Sequence, residues 1–243
     1  MPRAIAAQTG VELRLTFRRG ESLLITLIVP VLLLVFFASL EIVPAQSGRP
    51  VDFLLPGMLA LALMSTGMVS LGIATAYERY YGVLKLLGGS PLPRAALIAA
   101  KAFSVLALEV LQIALLLIVA AVGYGWRPAG NVGEVVLALL LGTAAFTGLG
   151  LAMAGALRAE MTLAGANALY LLFLLLGDVV LPLSHLPRPL QILAQALPAV
   201  PLTDALRSAM LGAAGGAYWP NVAEEAVWAV ALIAVAAFTF RWE

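Results

Sequence analysis

Five stretches of this chain run without a charge for about the length that crosses a bilayer, and a sixth comes close. They are Ser22–Leu40, Phe53–Tyr77, Val110–Trp126, Val135–Leu157 and Met161–Gly177, with Ala226–Phe240 as the shorter last one. A helix of about 20 apolar residues spans roughly 30 Å of hydrocarbon. In lipid a helix satisfies its own backbone hydrogen bonds, so such runs have one inexpensive conformation. The expected fold is all-α and integral to a membrane. It has six transmembrane helices, an N-terminal interfacial helix and an external re-entrant helical hairpin before the last span.

Composition agrees with that expectation. Apolar residues make up 63% of the chain and charged residues 11%, against about 45–50% and about 25% in soluble domains. With no cysteine, disulfides, thiolate metal sites and cysteine nucleophiles are excluded. The first apolar run has a basic flank (Arg14, Arg18, Arg19), and Val43-Pro44-Ala45 resembles a small-residue cleavage site. Its apolar core of 19 residues exceeds the roughly 7–15 of a signal peptide, so an uncleaved first span is expected.

Orientation follows from Lys and Arg in the connections. A cytoplasmic N-terminus puts Arg3, Arg14, Arg18, Arg19, Arg79, Lys85, Arg94, Lys101, Arg158 and Arg241 inside, leaving Arg49, Arg127, Arg188 and Arg207 outside. Acidic Glu41, Asp52, Glu134, Asp204, Glu224 and Glu225 fall outside. Both termini are therefore expected in the cytoplasm of a multi-pass inner-membrane protein. The segment 185–216 is too apolar for a free loop, yet Pro187, Pro189, Pro198 and Pro201 interrupt it. Proline removes a backbone donor and clashes with the preceding turn. Short helices near Leu190–Ala196 and Leu202–Leu211, dipping into the outer leaflet, are expected in place of a seventh span. The whole of 1–243 reads as one transmembrane domain, with a cytoplasmic interfacial helix over 1–21 and a charged cytoplasmic segment over 77–94.

That charged segment is the most telling polar stretch. It leaves the second span as Tyr77-Glu78-Arg79-Tyr80-Tyr81-Gly82-Val83-Leu84-Lys85, turns at Gly88-Gly89, and restarts the third helix behind Pro91 and Pro93. Read alone, it is a positive-inside loop. The pattern Glu78-Arg79, Gly82, Leu84-Lys85 and Ser90-Pro91-Leu92-Pro93-Arg94 resembles the signature after the second helix of ABC-2-type transporter permeases. Gly177-Asp178-Val179-Val180-Leu181-Pro182-Leu183-Ser184 resembles that family's fifth helix entering its external hairpin. Leu197-Pro198-Ala199-Val200-Pro201-Leu202-Thr203-Asp204-Ala205-Leu206-Arg207 resembles the segment before its last helix. The resemblance covers nearly the whole chain in order. One departure is Tyr80-Tyr81, where members often carry a further acid.

The resemblance implies a permease that works as a dimer, of identical or different subunits, with cytoplasmic ABC ATPase subunits. It implies contact with the ATPase through Glu78, Arg79, Tyr80, Gly82 and Lys85, and through Arg14 and Arg18 of the N-terminal helix. ATP and Mg²⁺ would be bound by that partner, and no cofactor by this chain. The sequence agrees that fuel comes from elsewhere. A P-loop needs Gly-Lys followed by Ser or Thr, whereas Lys85 precedes Leu86 and Lys101 precedes Ala102.

Four polar residues are candidates for a translocation pathway: Glu109, Gln112, Asn167 and Asp178. Glu109 sits roughly 21 Å along a third helix counted from Ala95. A charge there costs on the order of 3 kcal/mol, so the side chain should face protein or a water-filled cavity, or be protonated. A pathway or proton site is one reading; a buried interhelical hydrogen bond is the other. Gln112 lies one turn on. Asp178 is expected in a capped, solvated turn at the outer end of the fifth helix. A lone His185 is no metal signature. Ala144, Gly148, Ala152 and Ala156 form a small-residue stripe suited to close helix packing. Trp126, Trp219, Trp242, Tyr124 and Tyr218 read as interfacial anchors, and no nucleic-acid partner is expected.

The function expected from all this is ATP-driven export of a hydrophobic or amphipathic solute, such as a drug, lipid or glycolipid, by a subunit that is not itself an enzyme. The alternatives are a gradient-driven carrier using Glu109, and a membrane-embedded enzyme or assembly factor. An enzyme needs convergent polar groups at a shared depth, and no paired carboxylate, His cluster or Ser-Lys pair occurs on these helices.

Overall fold

The computed structural model describes residues 2–18, 20–40, 49–88, 94–212 and 217–239. The Val43-Pro44-Ala45 motif, Gly89 through Pro93, and Trp242 lie outside the described residues. Among the described residues the secondary structure is helical throughout.

The N-terminal helix α1 covers Pro2–Arg18 and lies along the third long helix. Helix α2 (Gly20–Ser39) carries Pro30 in its interior. Its described apolar stretch, Thr26–Ser39, is shorter than the other candidate spans. Next comes one continuous rod of 31 residues, Pro50–Tyr80. It consists of α3 (Pro50–Leu63), a π-helical stretch (Met64–Ser70) and α4 (Leu71–Tyr80). A short α5 (Val83–Gly88) leads on to α6 (Arg94–Tyr124), α7 (Val132–Ala156) and α8 (Ala159–Leu176). After a turn come two short helices, α9 (Arg188–Gln195) and α10 (Ala199–Leu211), and finally α11 (Tyr218–Thr239). Pro50–Tyr80, Ala96–Tyr124, Val132–Ala156, Ala159–Leu176 and Tyr218–Thr239 are long and apolar enough to cross a membrane.

The proline-broken segment forms its short helices close to where the sequence places them. Pro187 and Pro198 each stand at the N-cap, where a missing donor costs nothing. Helix α10 buries Ala199, Leu202, Ala205, Leu206 and Ala209 against α3, α7 and α11. The core centres on α3, whose residues from Leu54 to Leu63 are all buried, an all-round apolar helix enclosed by its neighbours.

Glycine sets the closest approaches. A Cβ on Gly148 would lie 2.9 Å from the backbone of Ile233, so the predicted stripe on α7 seats α11 within the same chain. A second seam was not foreseen. A Cβ on Gly150 would lie 2.6 Å from the Gly67 carbonyl and 2.8 Å from that of Met68, within the π-helical stretch.

Two expectations need correction. Trp126, past the end of α6, and Tyr218, at the start of α11, are both buried in the core, so neither is a lipid-facing anchor; Trp219 is exposed as an anchor should be. Glu225, read as a residue of an outer connection, is buried in α11 with neither carboxylate oxygen partnered among the described residues.

Candidate functional site: a charged clamp, a polar mid-section and an inner cavity

Three groups of polar residues occur at three levels of the bundle, the first at the end that carries α1 and α5. Lys101 stands about 10 Å along α6 and is 0% exposed. An ammonium that far from water needs counter-charges. Glu78 at the end of α4 supplies one at 2.7 Å, and Glu12 of α1 a second at 3.2 Å. Glu12 also accepts from Gln8 one turn back, at 3.2 Å. One buried cation thus ties α1, α4 and α6 together. The positive-inside pattern places Lys101 among the charges of the connections, whereas it lies within α6. The signal available was its place inside an apolar helix.

Arg79 turns the other way. Its guanidinium donates to the carbonyls of Gly155 and Leu157, which close the C-terminal end of α7 where a cation is favoured. Glu78 and Arg79 therefore both point into the protein. Beyond them the chain presents a different surface. Tyr80 and Tyr81 are 64% and 70% exposed, with Tyr81 stacked on Tyr77 at 6.1 Å. Gly82 takes φ +74° to turn α4 into α5, a conformation that costs glycine little. Lys85, Arg14 and Arg18 are exposed as well.

At mid-height, Gln112 accepts from Thr66 of the π-helical stretch at 2.6 Å and donates to the Thr26 carbonyl of α2 at 2.7 Å. Glu109 is buried and meets Thr143 of α7 at 2.6 Å; its Oε1 has no partner among the described residues. Gln112 and Glu109, one turn apart, therefore serve different neighbours. π-Helical turns recur at functional sites, and here the stretch brings Thr66 to Gln112.

The far end holds Asp178, Asp204 and Arg207. Asp178 adopts φ +56°, a region aspartate tolerates better than most residues, and accepts from the Leu183 amide at 2.7 Å. Arg207 pairs with the Asp178 carboxylate, donates to its carbonyl at 2.8 Å and to Asp204 at 2.9 Å, and lies 4.2 Å from the centre of the Phe53 ring. The expectation of a solvated turn is corrected: Asp178 is capped but buried, because Arg207 of α10 replaces water as its partner. Burial pushes the Asp204 carboxyl up to about 6; Arg207 opposes the rise, and Asp178 and Glu224 add to it. Among the described residues no group of three His, Asp or Glu could hold a metal ion.

Between the first and second levels lies a cavity of about 590 Å³, lined from α1, α2, the Pro50–Tyr80 rod, α6 and α8. Asn167 and Tyr170 of α8 line it together with Ser65, Thr66 and Ser70. Of the four predicted pathway residues, Asn167 alone is in the lining. Gln112 bonds to the lining residue Thr66, whereas Glu109 and Asp178 stand elsewhere. The Asn167 amide nitrogen donates to the Leu163 carbonyl within α8 at 2.8 Å. Tyr170 was not foreseen. Its hydroxyl is buried without a partner among the described residues.

A family profile described as ABC-2 type transporter matches residues 4–211. The chain belongs to the ABC-2 type transporter family. Among relatives, a Bacillus subtilis (strain 168) protein named "Putative transport permease YvfS" is 26% identical over 225 residues, covering 88% of each chain. For an ABC-2 type protein the five long apolar helices make a multi-pass membrane permease, with its polar residues gathered at both ends and in the middle of the bundle.

Proposed function

We propose that this chain is the permease subunit of an ATP-driven exporter in the cell (inner) membrane, moving a hydrophobic or amphipathic substrate outward. Six spans (α2, the Pro50–Tyr80 rod, α6, α7, α8 and α11) cross the bilayer with both termini cytoplasmic, and α9 and α10 form the external re-entrant hairpin. Two such subunits pair, and a cytoplasmic ABC ATPase binds ATP and Mg²⁺. The observation that carries this reading is the Lys101 clamp beside an exposed aromatic turn. Tyr80, Tyr81 and Lys85 offer aromatic and cationic surface, the composition favoured at protein interfaces. Directly behind them, Glu78 and Arg79 fasten that turn to α1, α6 and α7. A push on the turn is therefore delivered to the spans through charged hydrogen bonds rather than absorbed by a loose loop. The cavity above the clamp is the inner part of the substrate path.

Co-purification of a P-loop ATPase subunit with this chain from its native membranes tests the reading. The wild type should retain the ATPase. The double variant Tyr80→Ala, Tyr81→Ala should fold with unchanged helicity and lose it. Equal retention by the variant, or no ATPase on the wild type, would refute the proposal.

A further inference from the structure

We infer that the substrate is an amphiphile carrying one positive charge, and that Glu12 takes its ammonium at the clamp end of the cavity. This rests on the permease reading and deepens it. The charged residues in the described lining are Glu12 and Lys101, and an incoming molecule meets them unequally. The Lys101 side chain is 1% exposed, that of Glu12 12%. Lys101 also lies nearer to Glu78, at 2.7 Å, than to Glu12, at 3.2 Å. Lys101 and Gln8 both reach Glu12 through Oε1. Its Oε2 has no partner among the described residues and is not sealed inside the protein. The charge that a ligand encounters is therefore a carboxylate. An anion would be repelled by it, and a neutral molecule would gain no ion pair from it.

Aromatic rings stand at the same end. Tyr77 and Tyr81 line the cavity, stacked with their centroids 6.1 Å apart. Tyr77 directly precedes Glu78, and Glu78 shares the Lys101 ammonium with Glu12, so rings and carboxylate converge on one level. A carboxylate beside tyrosine faces is the pairing that holds an organic ammonium, through its charge and through attraction to the rings. A bare metal ion is served poorly there, since calcium wants six or more oxygen ligands and Glu12 is the acid of the described lining. Away from the clamp the wall turns apolar. Val105 and Leu108 stand one and two turns beyond Lys101 on α6, roughly 6 and 10 Å deeper into the bundle, with Val29 and Val69 across from them. The cavity thus has a negative rim and a greasy interior, the polarity of a cationic amphiphile held head toward the clamp. Its volume of about 590 Å³ suits one drug-sized molecule.

Binding is measured on the full chain alone in nanodiscs of zwitterionic lipid, with three fluorescent probes sharing one alkyl chain. These are an alkyltrimethylammonium, an alkyl sulfate and an alkyl glucoside. The ammonium should bind saturably, and the other two no better than to empty nanodiscs. Glu12→Gln should weaken ammonium binding about tenfold, the size of one charged contact. Tyr77→Leu should weaken it about threefold, whereas Tyr77→Phe, which keeps the ring, should not. Gln8→Ala controls for a loosened α1. It disturbs the same turn and leaves the carboxylate, so it should bind the ammonium no more weakly than the wild type. Equal losses in Gln8→Ala and Glu12→Gln would make Glu12 a merely structural residue and overturn the inference. Preference for the sulfate or the glucoside, or undiminished ammonium affinity in a folded Glu12→Gln chain, would overturn it too. ATPase recruitment is scored separately. A chain that recruits the ATPase but ignores the ammonium overturns the substrate class alone. A chain that binds the ammonium and recruits no ATPase overturns the permease reading and leaves the cation site standing.

Discussion

Lys101 is surrounded by more consequence than its neighbours in sequence suggest. A buried cation shared by two carboxylates is hard to replace, because removing it leaves like charges facing one another. Lys101→Met should destabilise the protein by about 3–5 kcal/mol, read as a fall in unfolding temperature in nanodiscs. Glu12→Gln should cost much less, since Lys101 keeps Glu78 at 2.7 Å. Equal losses would mean that α1 and α4 are not held through one shared ion. Asp204 gives a pH test. Its folded-state value of about 6 lies above the roughly 3.9 of a free aspartate. Folding therefore favours the neutral carboxyl. That contribution is complete below about pH 4 and fades as pH rises through about 6. Asp204→Asn stays neutral throughout, so its unfolding temperature should vary less than the wild type's between about pH 5 and about pH 7. An identical pH profile for the two proteins would contradict the assignment.

Helix packing explains why some elements were legible in the sequence and some contacts were not. Length and the absence of charge suffice to place the long helices, because a membrane span depends on local sequence alone. Prolines place α9 and α10 for the same reason. The Glu12–Lys101–Glu78 clamp joins residues far apart in the chain, and the sequence marks only its anomaly, a lysine in an apolar helix. Asp178 was misjudged because Arg207, which replaces its water, arrives from another element. The Gly150 seam escaped notice because its partner is backbone, which leaves no residue pattern. It makes a sharp prediction. Gly150→Ala should cost about 1–3 kcal/mol through overpacking, since its methyl would lie 2.6 Å from the Gly67 carbonyl. Gly123→Ala, with nothing within 4 Å, should be neutral or slightly stabilising. Matching unfolding temperatures for the two variants would sink that account.

Across the whole molecule, the polar groups divide the labour of a permease by depth. The charged clamp and its exposed turn lie at one end, and the Asp178–Arg207–Asp204 group closes the other. The Gln112 bridge and the hydroxyl-lined cavity lie between. Membership of the family follows from the chain as a whole, over residues 4–211.

The outward-facing tyrosines carry one more implication. Two large rings, 64% and 70% uncovered, form a sticky spot in water for as long as no companion sits on them. Copies made in excess would show that spot to the proteases and chaperones that survey newly made membrane proteins. With the proposed ATPase as that companion, degradation of uncovered copies would hold the numbers of the two subunits in step.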